Sequence, residues 1–510
     1  MNKKNKLLNG IKEATNTTFT ENGAVTHKST LNGLYDLFAM GAAYRTRSES
    51  DCIVLFQKAF EEDPVYALKC LFYLRDARGG QGERRFFRVV TSWLANNKTD
   101  AMKRNLKYVP EFGRWDDLYA FVGTPLEYDA FALMKDQFIL DLQCKTPSLL
   151  AKWLKSENTS SQKSRALALK TRQAFGLSPR LYRKGLSLLR KRINVLERLM
   201  SAGEWDKIEF DKIPSRAGLI YRNAFARHDI ERMRADKNAV AYKDFVQDKN
   251  TKVNAKVLYP YEVVAQATAY TGMNGYWTRR EKNDPTERAA INKYWDNLED
   301  YFNGASLDAL CVIYTSGSMW GTSASAPINV AVSIGLYAAE RARGPFHGHY
   351  ISFSSRPQLI ETRGVDFVDK VKRIWETNLC ENTNIEATFD MLLKTALKNN
   401  CKQEELPKTI VVVSDMEFDQ ARGYYGRRHV DSSTLMENIS RKWEQAGYRM
   451  PNLVFWNVEA RQDNIPMKAK NGITFCSGFS PVLFEQIMKG KTGYDLMMDK
   501  LNSARYECIR

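Results

Sequence analysis

No apolar run in the 510-residue chain approaches the ~18–20 residues that a membrane span needs, so no transmembrane helix is expected. The opening stretch, MNKKNKLLNGIKEATNTTF, has basic residues but no apolar core, and it does not read as a secretory leader. The eight cysteines, at 52, 70, 144, 311, 380, 401, 476 and 508, form no CxxC pair. That spacing argues against a disulfide framework or a structural zinc site, and for reduced thiols in a cytoplasmic protein. Histidine is scarce, with five residues, and His228 has no Cys or His at ligand spacing. A Ser-His-Asp set is also missing, because nothing in the sequence suggests a base for Ser318. His347 and His349 would share one face of a strand start, the one arrangement a nuclease would use. The expectation is a protein without catalytic chemistry.

The chain does have positive charge in excess, +17 at neutral pH. Between Lys145 and Arg198 there are fourteen Lys and Arg against only Glu157 and Glu197. A field of that sign suits a polyanion, although a solvated helix surface would read the same way.

Residues 1–30 are polar and lack periodicity, and read as a flexible or extended arm. From Leu31 to about Lys145 the apolar residues recur at helical spacing, in runs closed by polar or glycine-containing breaks. This predicts stacked antiparallel helix pairs. Between two of these helices lies Arg75-Asp76-Ala77-Arg78-Gly79-Gly80-Gln81-Gly82-Glu83-Arg84-Arg85. Its glycine amides and guanidiniums could converge on an anion. It could equally be a structural corner in which Arg75 and Arg84 pair with Asp76 and Glu83. No Lys-Ser/Thr follows the glycines, so it is not a P-loop. Further on, two basic amphipathic segments are expected at about 165–175 and 179–200. In the second, Leu186, Leu189, Ile193, Leu196 and Met200 share a face, with Arg183, Lys184, Arg190, Lys191 and Arg192 on the rest. Tyr182 and Trp153 suit base stacking or, more commonly for aromatics at helical spacing, the core.

After a junction at 271–303 the texture changes. Strand-like runs at 309–313, 349–353, 409–413, 452–458 and 472–475 alternate with helical ones at 325–342, 366–376, 385–398, 434–446 and 480–489. That alternation predicts a mostly parallel, Rossmann-like α/β sheet whose site lies at the carboxyl ends of its strands.

The second half resembles the von Willebrand factor A domain. The resemblance rests on Ser316 and Ser318 in Thr-Ser-Gly-Ser-Met, Thr383 in Glu-Asn-Thr-Asn, and Asp415 in Val-Val-Val-Ser-Asp-Met-Glu-Phe. It implies a metal-ion-dependent adhesion site for Mg²⁺, formed by Ser316, Ser318, Thr383 and Asp415. Tyr314 stands where that pattern has its first Asp, which makes the site degenerate; Glu417 and Asp419 are the acids available to compensate. The two halves together resemble the TROVE-domain proteins, the Ro autoantigen and its relatives. The motifs are residues 75–84, Leu-Leu-Ala-Lys-Trp-Leu at 149–154, Ser-Asp-Met-Glu-Phe-Asp at 414–419 and Ser-Gly-Phe-Ser-Pro at 477–481. This implies an arm at 1–30, a HEAT-like helical ring at 31–303 in a monomer, and an A domain at 304–510. It also implies a ribonucleoprotein that binds structured or misfolded noncoding RNA without catalysis. Phosphate contacts would come from Arg78, Arg84, Arg85, Lys163, Arg165, Lys170, Arg172, Arg183, Lys184, Arg190 and Lys191. The competing reading is a scaffold that captures an acidic protein partner at the metal-site face.

Overall fold

The computed structural model describes residues 6–267, 269–273, 276–280, 284–302, 304, 308–315, 317–321, 323–353, 356–377, 384–418 and 434–510. The chain divides into two compact units, one formed by residues 1–70 and 258–505 and the other by 71–257 and 506–510.

Among its described residues the first unit has ten strands, in three sheets: β1 (Thr17–Phe19), β2 (Val25–His27), β3 (Ala269–Met273), β4 (Tyr276–Arg280), β5 (Ala309–Tyr314), β6 (His349–Phe353), β7 (Gln358–Glu361), β8 (Thr409–Ser414), β9 (Asn452–Asn457) and β10 (Ile473–Ser477). Six of them make one sheet in the order β10-β9-β8-β5-β6-β7, parallel except where β7 runs against β6. β8 is buried at every position and β5 at all but its first residue, as expected of central strands covered on both faces. The helix Pro327–Arg341 packs on β5. It approaches closely because residue 335 is glycine; a Cβ there would overlap the Ile313 side chain. The mostly parallel sheet predicted from the alternating runs is present, with strand and helix bounds shifted by a residue or two, except that the helix expected over 480–489 is a short turn, Pro481–Leu483, followed by the helix Phe484–Met488.

Two expectations for this unit are corrected. The 1–30 segment is not an extended arm throughout: β1 and β2 pair as an antiparallel hairpin, and the His27 amide and carbonyl exchange hydrogen bonds with Ile465 at 3.0 and 2.8 Å. Residues 33–70 and 258–302 lie in the sheet-bearing unit, not with the other helices. The helix Gly33–Met40 packs on β10, and the Phe475 amide donates to the Tyr35 hydroxyl at 2.8 Å. Helical periodicity identified these segments as helices, but it does not encode which core a helix joins.

The second unit is helical among its described residues. Its longer helices are Arg85–Asn97, Glu127–Gln143, Gln162–Phe175, Pro179–Arg192 and Ser215–Arg227. Ser161 and Ser178 cap two of them by accepting from the amides of Ser164 and Leu181. The segment expected as one helix over 179–200 is two, Pro179–Arg192 and Leu196–Ser201. Asn194 adopts a left-handed φ of 48°, and the Val195 amide turns back to the Arg190 carbonyl, which closes the first helix.

Candidate nucleic-acid interface and strand-end site

The basic helices Gln162–Phe175 and Pro179–Arg192 bury a narrow stripe of Ala168, Thr171, Phe175, Tyr182, Leu186 and Leu189. The rest of their surface is wet, and Lys163, Arg165, Arg183, Lys184 and Lys191 are exposed on it. None of these five has an acidic partner among the described residues. Other cations expected to contact RNA are engaged within the fold. Lys170 pairs with Glu127 at 2.9 Å, and Arg172 pairs with Glu157 at 2.7 Å. Arg190 donates to the carbonyls of Ala151 and Leu154 and to the Ser156 hydroxyl, each at 2.9 Å. That makes Arg190 a staple for the 151–156 segment. Tyr182 is fully buried and donates to the Lys155 carbonyl at 2.8 Å, so it serves the core and not a base stack.

The glycine-rich turn does not present its amides to an anion. The amides of Gln81, Gly82 and Glu83 donate to the carbonyls of Tyr73, Asp76 and Leu74, closing the helix before it. Glu83 accepts from the amides of Arg85 and Phe86 and so caps the next helix. Arg78 donates to the Glu111 carbonyl at 2.9 Å and is otherwise exposed.

The arginines of this region also pair differently from either sequence expectation. Asp117, fully buried, takes both Arg75 Nε and Nη2, at 2.8 and 2.6 Å, and Arg88 Nε at 2.7 Å. Asp116 takes Arg114 in a two-point contact, at 2.8 and 2.7 Å, and Arg88 Nη2 at 3.1 Å. Burial opposes ionisation of Asp116, but the guanidiniums of Arg114 and Arg88 hold its carboxyl below the ordinary range. Gly113 permits this packing, because a Cβ there would overlap the Asp117 carboxylate. The Arg114 guanidinium also lies over the Trp153 ring, 3.8 Å from its centre. Arg84 and Lys155 sit in the same cluster without a carboxylate of their own among the described residues, and Arg84 Nε is buried with no hydrogen-bond partner.

At the strand ends of the other unit, Ser316 and Thr383 lie outside the described residues, as do the Ser318 side chain and Asp419. Tyr314, where a carboxylate would be needed, is buried, and its hydroxyl donates to the Glu417 carbonyl at 3.4 Å. Asp415 is buried and ion-paired with Arg461 Nη2 at 2.6 Å. Arg461 also reaches Glu21 at 2.8 Å. Glu417 faces inward, accepting from the Glu21 amide and from Asn464, each at 2.7 Å, and the adjacent Met416 adopts a left-handed φ of 63°. Burial pushes the Glu417 carboxyl up to about 7. Among the described residues this donor set does not fit Mg²⁺: one acid is neutralised by a guanidinium, the second is held by an amide and Asn464, and the residue in the first-Asp position is a phenol.

The sequence reading missed Arg88, Arg114, Lys155 and Arg461. Arg88 stands one helical turn after Arg84, a spacing that could have suggested it. Arg461 lies 46 residues beyond Asp415, and no local signal links the two.

His347 and His349 each set Nδ1 against a backbone carbonyl, that of Ala342 at 2.7 Å and that of His347 at 2.8 Å. Glu361 stands opposite His349 across the β6–β7 pair, but its carboxylate is taken by Arg363 at 2.5 Å.

Comparison with known proteins gives two family models, both described as domains of unknown function: DUF2828 over residues 20–174 and 141–303, and DUF7788 over 308–506. An uncharacterized protein of Acanthamoeba polyphaga mimivirus, L728, is 30% identical over 93% of this chain and 85% of its own length. Among solved structures, the Ro (RSR) protein of Deinococcus radiodurans is similar over 94% of this chain and all of its own, with a TM-score of 0.48 and 13% identity.

Proposed function

The chain belongs to the DUF2828 family, which is defined without an activity, and from its surface chemistry we propose that it is an RNA-binding protein. It holds structured or misfolded noncoding RNA by its phosphates and carries out no chemistry on it. The supporting observation is the set of exposed cations on two neighbouring helices, Lys163, Arg165, Arg183, Lys184 and Lys191, which no acid neutralises among the described residues. Such side chains can contact phosphate while staying largely hydrated, and they gain most from a phosphate backbone whose counterions they displace. Residues already engaged, Lys170, Arg172 and Arg190, support the helices and contribute less to binding. The strand-end face does not carry the reading, because Arg461 already neutralises Asp415.

The test is a filter-binding titration of labelled RNA against salt. Affinity should fall steeply with salt, with a slope near 0.7 per phosphate contacted by a single strand. Replacing Lys163, Arg165, Arg183 and Lys184 by Ala should flatten that slope by about two to three units and weaken binding to all sequences alike. Weak binding that is indifferent to salt would overturn the proposal.

A further inference from the structure

The cluster around Asp116 and Asp117 contains more cations than its acids can satisfy. Arg75, Arg84, Arg88, Arg114 and Lys155 surround two carboxylates, and the available oxygens are taken by Arg75, Arg88 and Arg114. Arg84 and Lys155 remain over. Neither is a freely solvated surface side chain: both are half-buried, and Arg84 Nε is sealed from water with nothing to donate to. Burial, followed by the charges of Arg114, Arg75 and Arg88, pushes the Arg84 guanidinium down to about 10. Lys155 is lowered in the same sense, by burial first, with Arg88, Arg114 and Arg84 opposing its charge. A fold that gathers unmatched, partly dehydrated cations pays for them in stability unless an anion completes the set.

We propose that Arg84, Arg88, Arg114 and Lys155 form a binding site for a phosphomonoester, the doubly charged phosphate found at the end of a nucleic-acid strand or on a free nucleotide. Charge selects the class. The cluster carries five positive groups against two negative ones, so a dianion offsets more of the excess than a singly charged internal phosphodiester. The geometry agrees. Arg88 and Arg114 are fixed by their carboxylates, and Arg114 also lies over the Trp153 ring, which leaves preset N–H groups beside the two unmatched side chains. The Trp153 ring that backs Arg114 stands two residues before Lys155 in the chain, which ties the Lys155 segment to the Arg114 guanidinium. The site does not rest on the RNA reading, since inorganic phosphate alone tests it.

The experiment follows thermal unfolding of the full chain with inorganic phosphate at constant ionic strength, chloride serving as the control. The midpoint should rise with phosphate and saturate. The Arg84→Met variant should melt higher than wild type without phosphate, because a like-charge contact is removed, and should respond to phosphate about tenfold more weakly. Lys155→Met should show the same two effects to a smaller extent. An Arg84→Met protein that keeps the wild-type phosphate response, or a wild-type protein with no saturable response, overturns the site. The source is then resolved with AMP and with one oligoribonucleotide carrying a 5′-phosphate, a 3′-phosphate or neither. A preference for a phosphorylated end assigns the site to strand termini, and equal binding of AMP assigns it to free nucleotides. Failure of AMP together with equal binding of all three strands overturns the phosphomonoester assignment and leaves the RNA reading of the basic helices intact.

Discussion

Two regions of the molecule bring arginine and carboxylate together in opposite proportions. In the helical unit five cations share Asp116 and Asp117, and the unmatched charge is positive. At the strand ends of the sheet, among the described residues, Arg461 pairs with both Asp415 and Glu21, beside Glu417, so that acids outnumber this guanidinium. Each region handles its excess by a different route. A carboxyl can take up a proton near neutrality, and Glu417 is shifted so that it does. A guanidinium keeps its charge at that pH, so the helical cluster can only be relieved by an external anion. The acid-rich site is closed by the fold itself, and the base-rich site is open to a ligand.

The comparison can be broken most severely at Asp117. Asp117→Ala leaves Arg75 buried and uncompensated, and it should cost about 3–5 kcal/mol in urea unfolding. The strand-end counterpart, Arg461→Met, strands buried Asp415 and should cost about 2–3 kcal/mol, less because Arg461 is partly exposed. Adding Asp415→Asn to Arg461→Met should recover much of that loss, and a double-mutant cycle measures how much. At β5, Gly335→Ala pushes the packing helix off Ile313 and should cost about 1–3 kcal/mol by the same unfolding measurement.

The smallest effect concerns pH. The Glu417 carboxyl titrates at about 7 in the fold against 4.5 ordinarily, so the folded state holds the proton more tightly. Its contribution is fully present below about pH 4.5 and is lost as pH rises through about 7. Thermal midpoints of wild type should therefore decline across that window, and Glu417→Gln should reduce the decline. Equal slopes for the two proteins would show that Glu417 does not control this edge.

Much of the fold was legible in the sequence. The runs Leu310–Ile313 and Ile410–Val413 are continuously apolar and rich in β-branched residues, as central parallel strands tend to be, and both are found where expected. β7 was missed because Gln358–Glu361 is an exposed edge strand with neither a buried run nor clean alternation. The β1–β2 hairpin was missed for a related reason: three-residue strands leave no periodic signal, and their pairing with Ile465 spans more than 400 residues.

The candidate sites divide along the same line. Sequence alone determined the net charge, the density of cations at 145–198, the strand-helix alternation after 308 and the absence of a carboxylate at Tyr314. These are properties of composition and local spacing, which survive without coordinates. Only the tertiary structure decided which cations remain available. Arg190 and Lys184 lie on the same helix six residues apart, yet one staples Ala151 and Leu154 while the other is exposed. Arg75 bypasses the adjacent Asp76 for Asp117, and Asp415 meets Arg461 from a distant loop. Ion pairing is settled by distance and burial, and those are fixed by how elements pack, not by their order along the chain.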